Sequence, residues 1–169
     1  ESRIGALYNS FMDVEKIEAD GLGPLLKEIA PILKSATPTH LAVALALLSR
    51  AGLPQLFAWY TSNDPKDPKN YTFFLYQSGL GLPDESYYRE EKHEQVCAAY
   101  VEHIARMFEL TGLAEGFGLT PEQAAQVVFT HESELARLHW NVVENRDAEA
   151  TYNPYQATEL DEKFPGFPF

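Results

Sequence analysis

Two short runs in this sequence begin with His-Glu, the start of the one-turn spacing that zinc-dependent hydrolysis uses. In His-Glu-x-x-His both imidazoles lie on one helix face and the glutamate activates the metal-bound water. Here His93-Glu94-Gln95-Val96-Cys97 has cysteine where the second histidine belongs, and His131-Glu132-Ser133-Glu134-Leu135 ends on a leucine that ligates nothing. His139 lies eight residues beyond His131. That is about 12 Å along a helix axis, too far to share an ion whose bonds are ~2.0–2.1 Å. His93 and Cys97 lack a third ligand at a motif spacing. His93 therefore reads as a surface helix residue and Cys97 as a small buried hydrophobe. The expected catalytic and metal-ligating sets in this chain are both empty.

Other chemistries fail on similar grounds. Asp64 and Asp67 could suggest calcium, but Pro65 and Pro68 interrupt them and no glutamate closes the loop, so a solvated turn is expected. Asn70-Tyr71-Thr72 is formally a glycosylation sequon that acts only in a eukaryotic secretory route. Ser78, in Gln77-Ser78-Gly79, is outside any Gly-x-Ser-x-Gly elbow. Glu144 and Asp147 flank Arg146 as a charge network at a helix end. Gly79-x-Gly81 lacks the third glycine and the strand–turn–helix setting of a dinucleotide site. The aromatic run from Phe57 to Tyr76 could hold a peptide strand along a hairpin edge, although aromatics at such positions are expected in the core.

The elements that would position these residues are mainly helical. An amphipathic segment with Ile4, Leu7, Tyr8 and Phe11 on one face runs to about Asp13. Gly21-Leu22-Gly23-Pro24 breaks it and opens a helix whose buried stripe is Leu25, Leu26, Ile29, Ile32 and Leu33, with a possible kink at Pro31. Thr37 caps a third helix, Pro38 to Ala51, expected to be central and buried. Gly52 is its left-handed stop, Leu53 the hydrophobic contact and Pro54 the block to continuation. Two β-prone runs, Leu56–Thr61 and Tyr71–Tyr76, predict a hairpin that must lie against the helices.

Asp84 caps a short helix through Tyr87-Tyr88. A long helix follows from about Glu91 to Thr111, with Val96, Tyr100, Ile104, Met107 and Phe108 inward and Gly112 at its end. Thr120-Pro121-Glu122-Gln123 is a capping box. It opens a helix to about Trp140 that carries Ala124, Val128, Leu135 and Leu138. The tail holds a short helical piece near Tyr155–Lys163, then Phe164-Pro165-Gly166-Phe167-Pro168-Phe169. The fold class is mainly α, a helical domain with a small two-stranded β-hairpin at about residues 55–77.

Composition agrees with one packed domain: 169 residues, 45% hydrophobic and 12% aromatic. With 25 acidic and 13 basic residues the net charge is -12, which disfavours nucleic acid and anionic membrane surfaces as partners. A single cysteine excludes an internal disulfide. The longest apolar run, Leu41 to Leu48, is far short of the ~20 residues a bilayer needs. Glu1-Ser2-Arg3-Ile4-Gly5 has no apolar signal region. The chain is already in helical periodicity there, so a cut piece of a longer protein is expected, with any localisation signal outside it.

Three sets of residues together carry a family resemblance. Ser10-Phe11-Met12-Asp13, Gly79-Leu80-Gly81-Leu82-Pro83-Asp84-Glu85-Ser86-Tyr87-Tyr88, and Arg146-Asp147 with Thr151-Tyr152-Asn153-Pro154 resemble the N-terminal, largely helical region of the neprilysin family of zinc endopeptidases. The likeness covers essentially the whole chain, and the Gly-Leu-Gly-Leu-Pro…Tyr-Tyr block is its most specific part. It implies a parent enzyme that hydrolyses peptide bonds in oligopeptides. A C-terminal catalytic domain of the same polypeptide would hold zinc through His-Glu-x-x-His and Glu-x-x-x-Asp, and an Asn-Ala-Tyr motif would bind the substrate backbone. None of these motifs occurs here. Residues 1–169 would then be one partial, lid-type helical domain enclosing the chamber for peptide substrates, inactive alone and without zinc of its own. The lone cysteine suits a bacterial-type member, cytoplasmic or exported. The rival expectation is a free-standing helical module that binds a peptide or protein without catalysis.

Overall fold

In the computed structural model residues 2–53 and 55–167 are described; Glu1, Pro54, Pro168 and Phe169 lie outside them, so the expected block at Pro54 does too. Among the described residues there are seven α-helices and one antiparallel hairpin: α1 Arg3–Met12, α2 Val14–Asp20, α3 Gly23–Leu33, α4 Pro38–Arg50, β1 Phe57–Asn63, β2 Tyr71–Gln77, α5 Glu94–Thr111, α6 Pro121–Ala136 and α7 Leu160–Lys163. Short 3-10 turns occupy Glu85–Tyr88, Glu91–His93, Leu113–Phe117, Glu144–Arg146 and Ala157–Glu159. None of the helices among the described residues is long and apolar enough to cross a membrane.

Local chemistry sets the helix ends. The Thr37 hydroxyl accepts from the His40 amide at 3.2 Å and starts α4. At the other end Gly52 turns left-handed (φ +88°). Its amide donates to the Ser49 carbonyl at 3.0 Å, and the Leu53 amide donates to Leu48 at 3.1 Å. That pair of bonds is the Schellman closure expected when glycine follows the last helical turn. Thr120 and Gln123 form the reciprocal capping box of α6, and Gly112 ends α5 in the left-handed region.

Packing departs from the sequence expectation in several places. The first segment is two helices, because the Asp13 carboxylate accepts from the Lys16 amide at 3.0 Å and caps α2. Its apolar face is open to solvent, with Ile4 82% and Phe11 77% exposed. The α3 stripe is half-buried at best, and Pro31 stands inside the helix. On α4 only Ala44 and Leu48 are buried, so it is not the central helix its composition suggested. Val96, Met107 and Leu138 also face outward. The last main helix stops at Ala136, before Trp140. These faces share a physical cause: each is apolar enough to be covered, and nothing among the described residues reaches it.

The best-packed region is the α5–α6 pair with the turns beside it, where Ile104, Ala114, Ala124, Ala125 and Ala136 are buried. Small alanines on α6 let α5 approach closely. The hairpin pairs Phe57 with Gln77 and Asn63 with Tyr71. It touches the helices through few groups: the Trp59 indole N–H donates to the Ser49 hydroxyl at the end of α4. Its aromatic side chains are largely exposed, Phe73 at 56%, contrary to the expectation that they form core.

Candidate functional site

The Gly79–Tyr88 segment folds over α5 and α6 and meets one carboxylate, that of Glu132. Ala125, Phe129, Glu132 and Ala136 recur at spacings of four, three and four residues, so they share the α6 face turned to α5. Ala125 and Ala136 are buried there, and Phe129 and Glu132 half-buried. The Tyr88 hydroxyl donates to Glu132 Oε2 at 2.6 Å, and the Tyr100 hydroxyl donates at 3.0 Å to Oε1 and 3.1 Å to Oε2. The Gly81 amide donates to the same Oε2 at 3.3 Å. The Tyr88 oxygen in turn accepts from the Leu82 amide at 3.0 Å. Phe129 stacks on Tyr88 with ring centres 5.6 Å apart and closes the apolar side.

Both oxygens of Glu132 thus accept from groups of the fold itself. Burial, followed by the hydrogen bond to Glu132, raises Tyr88 well above the usual phenol range. Burial and the Glu132 charge push Tyr100 up to about 12. Both tyrosines are neutral donors in the folded chain and lose that protection on unfolding. Their contribution to stability is therefore complete below pH ~10, the unfolded phenol value, and is lost as pH rises through the folded values. Unfolding free energies measured between pH 9 and 12 should fall steeply above ~10. In Glu132→Gln, which removes the charge, that decline should be shallower; an identical slope would contradict the coupling.

The two near-miss runs turn their side chains in different directions. The His131 side chain, exposed, lines a shallow groove of about 530 Å³ on the outer face of α6 with Gln123, Val127 and Glu134, whereas Glu132 points inward. His93 is half-buried with its ring stacked 3.9 Å from that of Tyr87, not simply a surface residue. Cys97, also half-buried, donates from Sγ to the Tyr87 carbonyl at 3.0 Å. His93 and Cys97 thus face Tyr87 rather than a common ion. Among the described residues no three of His, Cys, Asp and Glu converge as a metal site. Burial lowers His139, which lies near the Ser78 backbone and far from His131's groove.

The remaining conspicuous residues also make contacts within the fold. Asp84 caps the Glu85–Tyr88 turn by accepting from the Ser86 amide at 2.9 Å. Glu85 is 9% exposed and held by Arg89 through two hydrogen bonds of 2.8 and 3.1 Å. Asp64 is more than a solvated turn residue. It accepts from the Lys66 amide at 2.8 Å, from Asp67 at 3.2 Å and from the Tyr152 hydroxyl at 3.1 Å. Lys66 lies 4.4 Å over the Tyr152 ring and pairs with Glu149 at 3.2 Å.

At the other end of the hairpin the Gln77 amide group exchanges two hydrogen bonds with the Trp140 backbone, 2.8 and 2.9 Å. The segment after α6 thus clips the hairpin at its base and at its tip. Glu144 and Asp147 accept from nearby backbone amides, and among the described residues neither pairs with Arg146, so the expected charge network is replaced by these backbone contacts. Sequence reading placed Tyr100 inward and weighed Glu132 and Asp64 as metal candidates, but missed the contacts that join Glu132 to Tyr88 and Tyr100 and Asp64 to Tyr152. The available signal was an acid on an otherwise apolar α6 stripe.

The structure is thus a mainly helical body with a half-buried carboxylate engaged by the fold and a hairpin clipped at both ends. The chain belongs to Peptidase family M13, whose N-terminal model matches residues 1–169. It is 29% identical to Neprilysin-3 of Drosophila melanogaster over 179 residues, 98% of this chain and 22% of that protein. It is 29% identical to endothelin-converting enzyme 1 of Homo sapiens over 110 residues, 64% of this chain and 14% of that protein. The crystal structure of the Mycobacterium tuberculosis zinc metalloprotease Zmp1 with an inhibitor superposes with a TM-score of 0.89 at 43% identity, covering 99% of this chain and 25% of that one. The chain therefore spans a quarter or less of the length of these relatives. The neprilysin resemblance of the three sequence blocks and the mainly helical fold with a hairpin both hold.

Proposed function

We propose that this chain is part of a neprilysin-like zinc metalloendopeptidase that hydrolyses peptide bonds in oligopeptides. Residues 1–169 form one partial helical domain that helps enclose the substrate chamber. The observation that carries the reading is the family match along all 169 residues, joined to motif residues that serve packing. Gly81, Tyr88 and Tyr152 each support a turn or a clip, as a rigid wall requires. Zinc, by this reading, is a cofactor of the parent enzyme held in its C-terminal catalytic domain, where it would activate water with a glutamate as general base. The domain's partners are that catalytic domain and the enclosed peptide.

The test begins with the reading frame past Phe169, expected to contain His-Glu-x-x-His and a later Glu-x-x-x-Asp. The purified parent should bind zinc and cleave a fluorogenic oligopeptide in a chelator-sensitive reaction. The 169-residue chain, at equal concentration, should show no cleavage above buffer. Zinc-dependent turnover proportional to the amount of the short chain would overturn the assignment of catalysis to another domain.

A further inference from the structure

One face of the hairpin is only partly covered among the described residues. The register places Phe57, Trp59 and Thr61 of β1 on the same side as Gln77, Leu75 and Phe73 of β2. Phe57, Trp59, Leu75 and Phe73 are 40–56% exposed, and Trp59 stacks on Phe73 at 5.5 Å. No charged side chain interrupts this row, on a molecule whose net charge is -12. A two-stranded hairpin with an open aromatic face is marginal by itself and invites association. At its Phe57 end the row is already occupied: Phe167 packs edge-on against Phe57, ring centres 5.5 Å apart.

We infer that this aromatic face is the seat of the stretch of the same polypeptide that follows Phe169, an inference that rests on the reading of the chain as part of a longer peptidase. The last described residues deliver the chain to the Phe57 end of the row. From there to Phe73, paired with Thr61, is four strand positions, about 14 Å at ~3.4 Å per residue. About nine or ten helical residues or four extended ones cover that length. The occupant is an amphipathic element with an apolar face, laid along the row and burying Trp59 and Phe73. A second copy of this chain or a free peptide would have to compete with a segment tethered a few residues away, at high effective concentration.

The experiment places the photo-crosslinker p-benzoylphenylalanine at position 73 of the full-length parent protein, with a separate variant carrying it at position 75 in case the first disturbs folding. After irradiation and trypsin digestion, both variants should crosslink within the same molecule. The crosslinked residue should lie beyond Phe169, within the tryptic peptide that begins after Lys163 or the one following it; a crosslink confined to residues 164–169 overturns the inference. A crosslink to a distant part of the chain, to a second copy or to an added oligopeptide overturns the inference, as does no crosslink from either position. Zinc content and peptide cleavage of the unsubstituted parent are measured alongside. Their absence sinks the peptidase reading. A misplaced crosslink in an active, zinc-loaded enzyme sinks the docking of this segment alone.

Discussion

Gly81→Ala should destabilise the chain by about 1–3 kcal/mol, the range of an overpacking substitution. A Cβ on Gly81 would lie 1.8 Å from the Tyr100 hydroxyl oxygen and 2.6 Å from its Cζ. The backbone at Gly81 is not left-handed, so the whole effect is steric. A phenol at the end of a side chain could ordinarily swing aside. This one donates to both oxygens of Glu132, and moving it breaks those bonds and opens the turn that Tyr88 and Glu132 hold. Urea denaturation followed by circular dichroism reads the change. In a Tyr100→Ala background the ring is gone, so Gly81→Ala should cost well under half as much. Equal cost in both backgrounds would show that the close approach is not what constrains position 81.

Glu132→Ala should cost about 3 kcal/mol or more, because it strands three donors at once: two hydroxyls and the Gly81 amide. Glu132→Gln retains the shape and one acceptor and should lose roughly half as much. His131→Ala, next in sequence but pointing into the outer groove, should stay within about 0.5 kcal/mol of the parent chain. Near-infrared or visible probes are unnecessary, since thermal and urea transitions separate the three variants. Comparable losses at 131 and 132 would return the pair to a shared role. A neutral Glu132→Ala would remove the network as an organiser of the Gly79–Tyr88 segment.

Helix ends were readable in the sequence because a cap depends on three or four neighbouring residues. Thr37 with Pro38, Thr120 with Gln123, Gly52, Asp84 and Gly112 all sit where their chemistry placed them. Asp13 was the exception; a cap between two helices looks like one amphipathic run when Phe11 and Val14 keep the pattern apolar. Burial was much less readable. Leu41, Val43 and the stripe from Ile4 to Phe11 are apolar enough for a core, yet what would cover them is not among the described residues.

The site was hidden for a different reason. Glu132 follows a histidine and invites a metal reading, while its real partners lie 44 and 32 residues back in the chain. Tyr152 is 88 residues from Asp64, beyond any local rule. The alternation of β1 and β2 was plain, but their clips to Trp140 and Tyr152 join residues 63 and 88 positions apart.

The two clips of the hairpin also set a timetable for synthesis. The strands are complete once Gln77 has been added, yet the groups that hold them, Trp140 and Tyr152, are encoded up to 75 residues later. At typical elongation rates of ~5–20 residues per second that is a delay of about 4–15 s. Throughout it the nascent chain carries two aromatic strands with open edges and no clasp, the kind of surface that chaperones recognise. A ribosome paused between codons 77 and 152 would hold this segment in its most vulnerable form.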